Sequence, residues 1–79
     1  MKHALTRMAV GTRGRVAGFA RGAKSYRHKL LAMGLIRDTE FSVKRIAPLG
    51  DPVEIEVRGF SLSLRKAEAD ALLVEEVSR

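Results

Sequence analysis

Few residues in this chain have the chemistry for catalysis. Its two histidines, His3 and His28, have no carboxylate beside them in sequence: His3 lies close to the N-terminus and His28 sits between Arg27 and Lys29. Solvated surface imidazoles are the expectation for both. Glu54 and Glu56 stand two residues apart, so they share one face of any strand and could act as a carboxylate pair. The same spacing lets each face a cation on a neighbouring strand, and Lys44 and its neighbours are the expected partners. Glu68, Asp70, Glu75 and Glu76 read as solvated charges. The chain has no cysteine, and without a paired-histidine motif a transition-metal site within one chain is not expected. Gly11-Thr12-Arg13-Gly14 lacks the GK[ST] ending and the preceding strand of a phosphate loop. The sequence therefore offers no catalytic residue, no metal-ligand set and no cofactor motif.

What it does offer is surface for a partner. Fifteen Lys and Arg against nine Asp and Glu give a net charge of +6 and a pI near 10.5, which suits nucleic acid, anionic lipid headgroups or an acidic protein surface. Base stacking needs exposed aromatics. Phe19, Phe41 and Phe60 fall on apolar strand faces and Tyr26 on the apolar face of a helix, so all four are expected in the core. A nucleic-acid reading would use Arg21, Arg27, Lys29 and Arg37 as phosphate contacts. The second signal is apolar. Leu30-Leu31-Ala32-Met33-Gly34-Leu35 is apolar nearly all round, whereas a surface helix needs one stripe, and Leu49 sits at a turn tip where polar residues are usual.

The elements that must position these residues centre on a hairpin. Strand-like runs from Glu40 and from Val53 flank Pro48-Leu49-Gly50-Asp51-Pro52, whose residue types favour turns and stop a ladder. Val53, Ile55 and Val57 alternate with Glu54, Glu56 and Arg58, the period of a strand with one wet and one dry face. On the other arm Ile46 falls out of phase with Phe41 and Val43, which predicts a bulge near Lys44-Arg45. Beyond Arg58-Gly59 the alternation resumes at Phe60, Leu62 and Leu64, so the chain turns and pairs again.

Upstream, Leu5, Met8 and Val10 form a weak apolar set read as a lead-in, followed by a turn. Arg15–Phe19 is a short strand in which Gly18 suits a bulge or a barrel bend. Tyr26, Leu30 and Met33 recur at helical spacing, predicting a helix of about ten residues from Lys24 or Ser25, with Ser25 as N-cap and Gly34 as a left-handed C-cap. Downstream, Arg65–Ala71 predicts one helical turn and Leu72–Val77 a last strand. A chain of 79 residues is expected to form one domain, 1–79, burying roughly 60% of its unfolded surface. Its apolar runs fall short of the roughly 18 residues that cross a bilayer. About five short strands with one helix between the first two predict a mainly β, SH3-like antiparallel barrel, because closure removes open edges.

Three blocks of this sequence resemble one known family: Leu30-Leu31-Ala32-Met33-Gly34-Leu35; Ala47-Pro48-Leu49-Gly50-Asp51-Pro52-Val53-Glu54-Ile55; and Arg58-Gly59-Phe60-Ser61-Leu62-Ser63-Leu64-Arg65-Lys66. In this order and spacing, within a match covering Val16 to Val77, they look like the signature blocks of the FeoA family, ferrous iron transport protein A. The resemblance implies a cytoplasmic, non-enzymatic accessory protein of bacterial ferrous iron uptake. It would work beside FeoB, a membrane permease with a cytosolic GTP-binding domain, and so be peripheral to the membrane through that partner. Carried over by position, the partner-binding residues are Leu30, Leu31, Met33, Gly34 and Leu35 on the helix end and Leu49, Gly50, Asp51 and Pro52 on the hairpin turn. No cofactor and no small-molecule substrate are implied, and direct iron carriage would need ligands the sequence lacks. The alternative from another class is a small basic nucleic-acid-binding barrel. Exposed strand edges and the apolar patch would permit self-association.

Overall fold

The hairpin dominates the architecture as its alternation requires. In the computed structural model, which describes residues 2–77, the elements run β1 (His3–Ala4), a 3₁₀ turn (Leu5–Arg7), β2 (Arg13–Phe19), α1 (Lys24–Ala32), β3 (Glu40–Ile46), a second 3₁₀ turn (Pro48–Gly50), β4 (Val53–Val57), β5 (Phe60–Leu64), α2 (Lys66–Ala71) and β6 (Leu72–Glu76). The strands form one antiparallel sheet in the order β1-β6-β2-β3-β4-β5. It is the mainly β, SH3-like arrangement predicted, with the helix between the first two long strands.

The bulge predicted near Lys44-Arg45 is present, and of the two readings open at Gly18 the structure shows a bulge; both bend the sheet. Val43 pairs with Ile55 and Arg45 with Glu54, leaving Lys44 as the extra residue. Val16 pairs with Val74 and Gly18 with Leu73, so Ala17 is the extra residue there. Each extra residue raises the local twist and turns the sheet around its core. Val53, Ile55 and Val57 are all buried, together with Val16, Phe41, Val43, Leu64, Leu72 and Val74 from the other strands. Arg58 (φ 51°) and Gly59 (φ 83°) join β4 to β5. Positive φ at both residues matches the right-handed twist of the flanking strands.

Two expectations need correction. The barrel is open: β1 and β5 are edges that do not pair with each other. β1 is too short to close it, pairing only His3 with Val74 and Ala4 with Leu73. Instead α2 contacts both edge strands as well as the N-terminal 3₁₀ turn and α1, so a helix covers the seam that a strand would otherwise fill. The N-terminal segment is also more than a lead-in. It supplies a sixth strand and buries Leu5 and Met8 in the core, and Thr6 Oγ1 donates to Asp70 Oδ1 on α2 at 2.7 Å. Too short for a readable period, this segment takes its structure from what it packs against.

Candidate partner-binding site

Helix α1 places the first half of the predicted site. Its N-cap is Ala23, with no side-chain cap, and Ser25 lies inside the helix rather than capping it. At the other end the expectation holds. Gly34 has φ 90°, Leu35 N–H donates to Leu30 O at 3.1 Å and Gly34 N–H to Leu31 O at 3.0 Å, the paired bonds of a Schellman ending. That geometry folds Leu35 back over the last turn, and both Leu30 and Leu35 are fully buried. Leu31 stays 39% exposed and Met33 packs half-buried against the core. The excess of apolar residues thus divides: Leu30 and Leu35 face inward and anchor the helix, while Leu31 and Met33 reach the surface.

The hairpin turn places the second half. Leu49 has φ 71° and its side chain is 96% exposed. Both features are unfavourable in isolation, since a left-handed residue with a Cβ costs of order 1–2 kcal/mol and an immersed leucine forgoes its burial energy. Gly50 follows, and its N–H donates to Ala47 O at 2.9 Å. Asp51 Oδ1 accepts from Lys66 N–H at 3.2 Å, tying the turn to the start of α2. Asp51 and the exposed Pro52 line a shallow depression with Ser63 and Arg65.

The structure does not bring these halves together as one patch. The Pro48–Gly50 turn leads into β4, whereas the helix end meets the β4–β5 turn at the opposite end of that strand. The Cβ of an alanine at Gly34 would approach Arg58 Nη1 to 3.4 Å, and Met33 lines a groove of about 300 Å³ with Val57, Arg58, Phe60 and Leu62. The two halves are therefore separated along β4 by about 13 Å, four steps of strand rise.

Phe60 was expected in the core, and it is 70% exposed. It opens the edge strand β5 immediately after the turn, where no further strand covers it. Phe41 is buried as expected, Phe19 packs partly buried against the core, and Tyr26 is 39% exposed. The groove residues Phe60, Leu62 and Val57 were missing from the sequence-based site. Their alternation revealed a strand, but nothing local marks that strand as an edge.

The carboxylates of the hairpin serve the sheet. Glu54 pairs with Arg45 Nε at 3.4 Å and Glu56 with Lys44 Nζ at 3.9 Å, the cross-strand compensation expected of them. Glu68 is different. Buried on α2, it accepts from Lys29 Nζ at 2.5 Å and from Arg65 N–H at 2.9 Å. The Lys29 hydrogen bond holds its carboxyl below the ordinary value of 4.5, outweighing the burial that pushes it up, with the Arg65 N–H adding to the depression. Among the described residues no group of three His, Asp or Glu side chains stands close enough to hold a metal ion, and no helix is long and apolar enough to cross a membrane.

A model of the FeoA domain matches residues 3–76. The chain belongs to the FeoA family. It is 33% identical over 57 residues to a Fe(2+) transport protein A/Fe(2+) transporter FeoB fusion protein of Porphyromonas gingivalis (strain ATCC BAA-308 / W83). That alignment covers 72% of this chain and 7% of the fusion protein, so the chain corresponds to a small part of that relative. A FeoA-like protein from Clostridium acetobutylicum, solved by NMR, superposes with a TM-score of 0.87 at 37% identity, covering 99% of this chain and 90% of the other. The crystal structure of an iron uptake regulatory protein (FeoA) gives a TM-score of 0.82 at 27% identity, covering 98% and 99%. In that relative a segment similar to this FeoA chain is joined to a Fe(2+) transporter.

Proposed function

We propose that this FeoA protein is a cytoplasmic, non-enzymatic accessory protein that docks on an FeoB-type ferrous iron permease. The observation that carries the proposal is the fused relative, in which a segment like this chain is covalently joined to an FeoB transporter. Joining two modules raises their effective concentration to about millimolar for a short linker. Docking without such a covalent link needs a surface that provides the affinity instead. Leu49 is the anchor best suited to this: its strained backbone and exposed side chain are both unfavourable in the isolated protein and rational in a complex. Gly50, Asp51 and Pro52 fix the tip that presents it.

Leu31, Met33 and Gly34 supply a second contact at the end of α1, extended by Phe60 across the groove, while Leu30 and Leu35 hold that end rigid from beneath. Rigid presentation lowers the entropy lost on docking. The test is a titration of this protein against its cognate permease, purified whole in detergent, with and without guanine nucleotide. Saturable binding is expected, weakened at least tenfold by Leu49→Asp with the folded spectrum unchanged. Absence of binding up to high micromolar concentration sinks the proposal.

A further inference from the structure

We infer that the pocket at the N-terminal end of α1 is an anion site for a pyrophosphate-type group, two linked phosphates carried as a free ion or on a nucleotide. The pocket, about 370 Å³, lies between the end of β2, the loop entering α1 and the chain beyond it. Arg21, Lys24, Arg27 and Arg37 all line it, and no acidic residue does. Four like charges around one concavity repel one another and concentrate positive potential there.

Elsewhere five cations have a carboxylate partner. Arg13 pairs with Glu40, Arg15 with Glu75, Lys29 with Glu68, Lys44 with Glu56 and Arg45 with Glu54. The cations of the sheet, and Lys29 on the same helix, are compensated by a carboxylate. Among the described residues none of the four pocket cations takes part in an ion pair. Arg7, Arg58 and Arg65 also lie outside these ion pairs, each apart from this pocket, whereas here four such cations line one concavity. Arg27 and Arg37, far apart on the chain's local structure, meet only through this pocket.

The pocket's chemistry selects a phosphate. The Arg27 guanidinium carbon lies 5.8 Å from the centre of the Phe19 ring. Stacking holds the planar group while its N–H edges remain available for bidentate contact with phosphate oxygens. The first turn of α1, beside the pocket, has neither a side-chain cap nor an acidic residue, so the chain places no anion of its own there. One phosphate monoester carries about −1.5 to −2 at neutral pH, and two linked phosphates match four cations more closely. A nucleic-acid strand would need an extended groove with open aromatic platforms. This site is compact, and Arg27 already stacks on Phe19.

The test is a two-dimensional ¹⁵N–¹H titration of the full chain with sodium pyrophosphate at about 0.15 M ionic strength, where exposed charges are screened beyond roughly 8 Å. Saturable shifts confined to residues 18–27 and Arg37 are expected. Arg27→Ala and Arg37→Ala should each weaken binding roughly tenfold, the effect of losing one charge-assisted contact, while Lys44→Ala leaves it unchanged. Their own dispersed spectra separate loss of the site from loss of the fold. ADP in the same experiment identifies the source: affinity equal to pyrophosphate means the phosphates alone are read, and tighter binding means the ligand is a nucleotide. Non-saturating shifts spread over the basic surface, affinity unchanged in both arginine variants, or displacement of pyrophosphate by a single-stranded oligonucleotide at lower concentration would overturn the assignment.

Discussion

At the N-terminal end of α1 four cations converge without a carboxylate; at its C-terminal end Met33 meets Val57, Phe60 and Leu62 across an apolar groove. Between them Lys29 is neutralised by a buried glutamate from α2. One nine-residue helix thus carries three different environments in little more than two turns. Its own sequence does not distinguish them, since Arg27 and Lys29 look alike and so do Leu30 and Leu31. What differs is the element opposite: an open pocket, then α2, then the start of an edge strand. A helix surface acquires its chemistry from what it faces as much as from what it contains.

The sharpest way to break this comparison is to treat the helix end as uniform. Leu30→Ala and Leu35→Ala should each destabilise by about 2–4 kcal/mol, because both leave cavities in the core. Urea denaturation reads this directly, and a loss below about 1 kcal/mol would place them with the surface residues.

Lys29→Met tests the middle of the helix. It leaves Glu68 buried with only the Arg65 N–H, and should cost about 1–2 kcal/mol at neutral pH. That is less than a fully buried pair loses, since Lys29 is half in water. The pH dependence follows from the depressed Glu68 carboxyl. A group whose pKa falls on folding stabilises the fold fully above its ordinary value, here 4.5, and loses that contribution as pH drops through the lower folded value. The stability difference between wild type and Lys29→Met should accordingly narrow below pH 4.5. A constant difference from pH 7 to 3 would show that Lys29 acts through packing.

At the hairpin tip, Leu49→Gly should raise stability by about 0.5–1 kcal/mol by removing the left-handed strain, while binding of the permease falls. A variant that is more stable and still binds would remove Leu49 from the docking surface. The smallest effect on the fold is expected for Phe60→Ser, under about 0.5 kcal/mol because the ring is mostly in water. If the groove takes part in docking, this same change weakens binding at least tenfold.

Much of this is legible in the sequence alone. The alternation of Val53, Ile55 and Val57, the out-of-phase Ile46, the Arg58-Gly59 turn and the Gly34 helix ending all follow from short-range geometry, because strand and helix periods and left-handed backbone sites are properties of a few consecutive residues. The pairing of Glu54 and Glu56 with cations on β3 is nearly as local, since hairpin register follows from the turn and the bulge. The exposure of Leu49 was legible too, as an apolar residue at a position turns give to polar ones.

The candidate site was less readable. Leu30, Leu31, Met33 and Leu35 formed one apolar run, and the Schellman geometry sends Leu30 and Leu35 inward. Phe60 alternates like a core residue, yet it begins a strand with no neighbour on its far side. Leu5 and Met8 lacked a period long enough to notice and are core because α2 lies against them.

By itself, then, the sequence determined the order and kind of the main elements, the position of the bulge near Lys44-Arg45, the turn chemistry and the net charge, all of which depend on neighbours along the chain. Only the tertiary structure decided which strands are edges, that α2 rather than a strand covers the open seam, that Lys29 is compensated, and that Arg27 shares a pocket with Arg37. Those outcomes depend on side chains distant in sequence meeting in one place. Burial and electrostatic compensation are set by that meeting, and no local period records it.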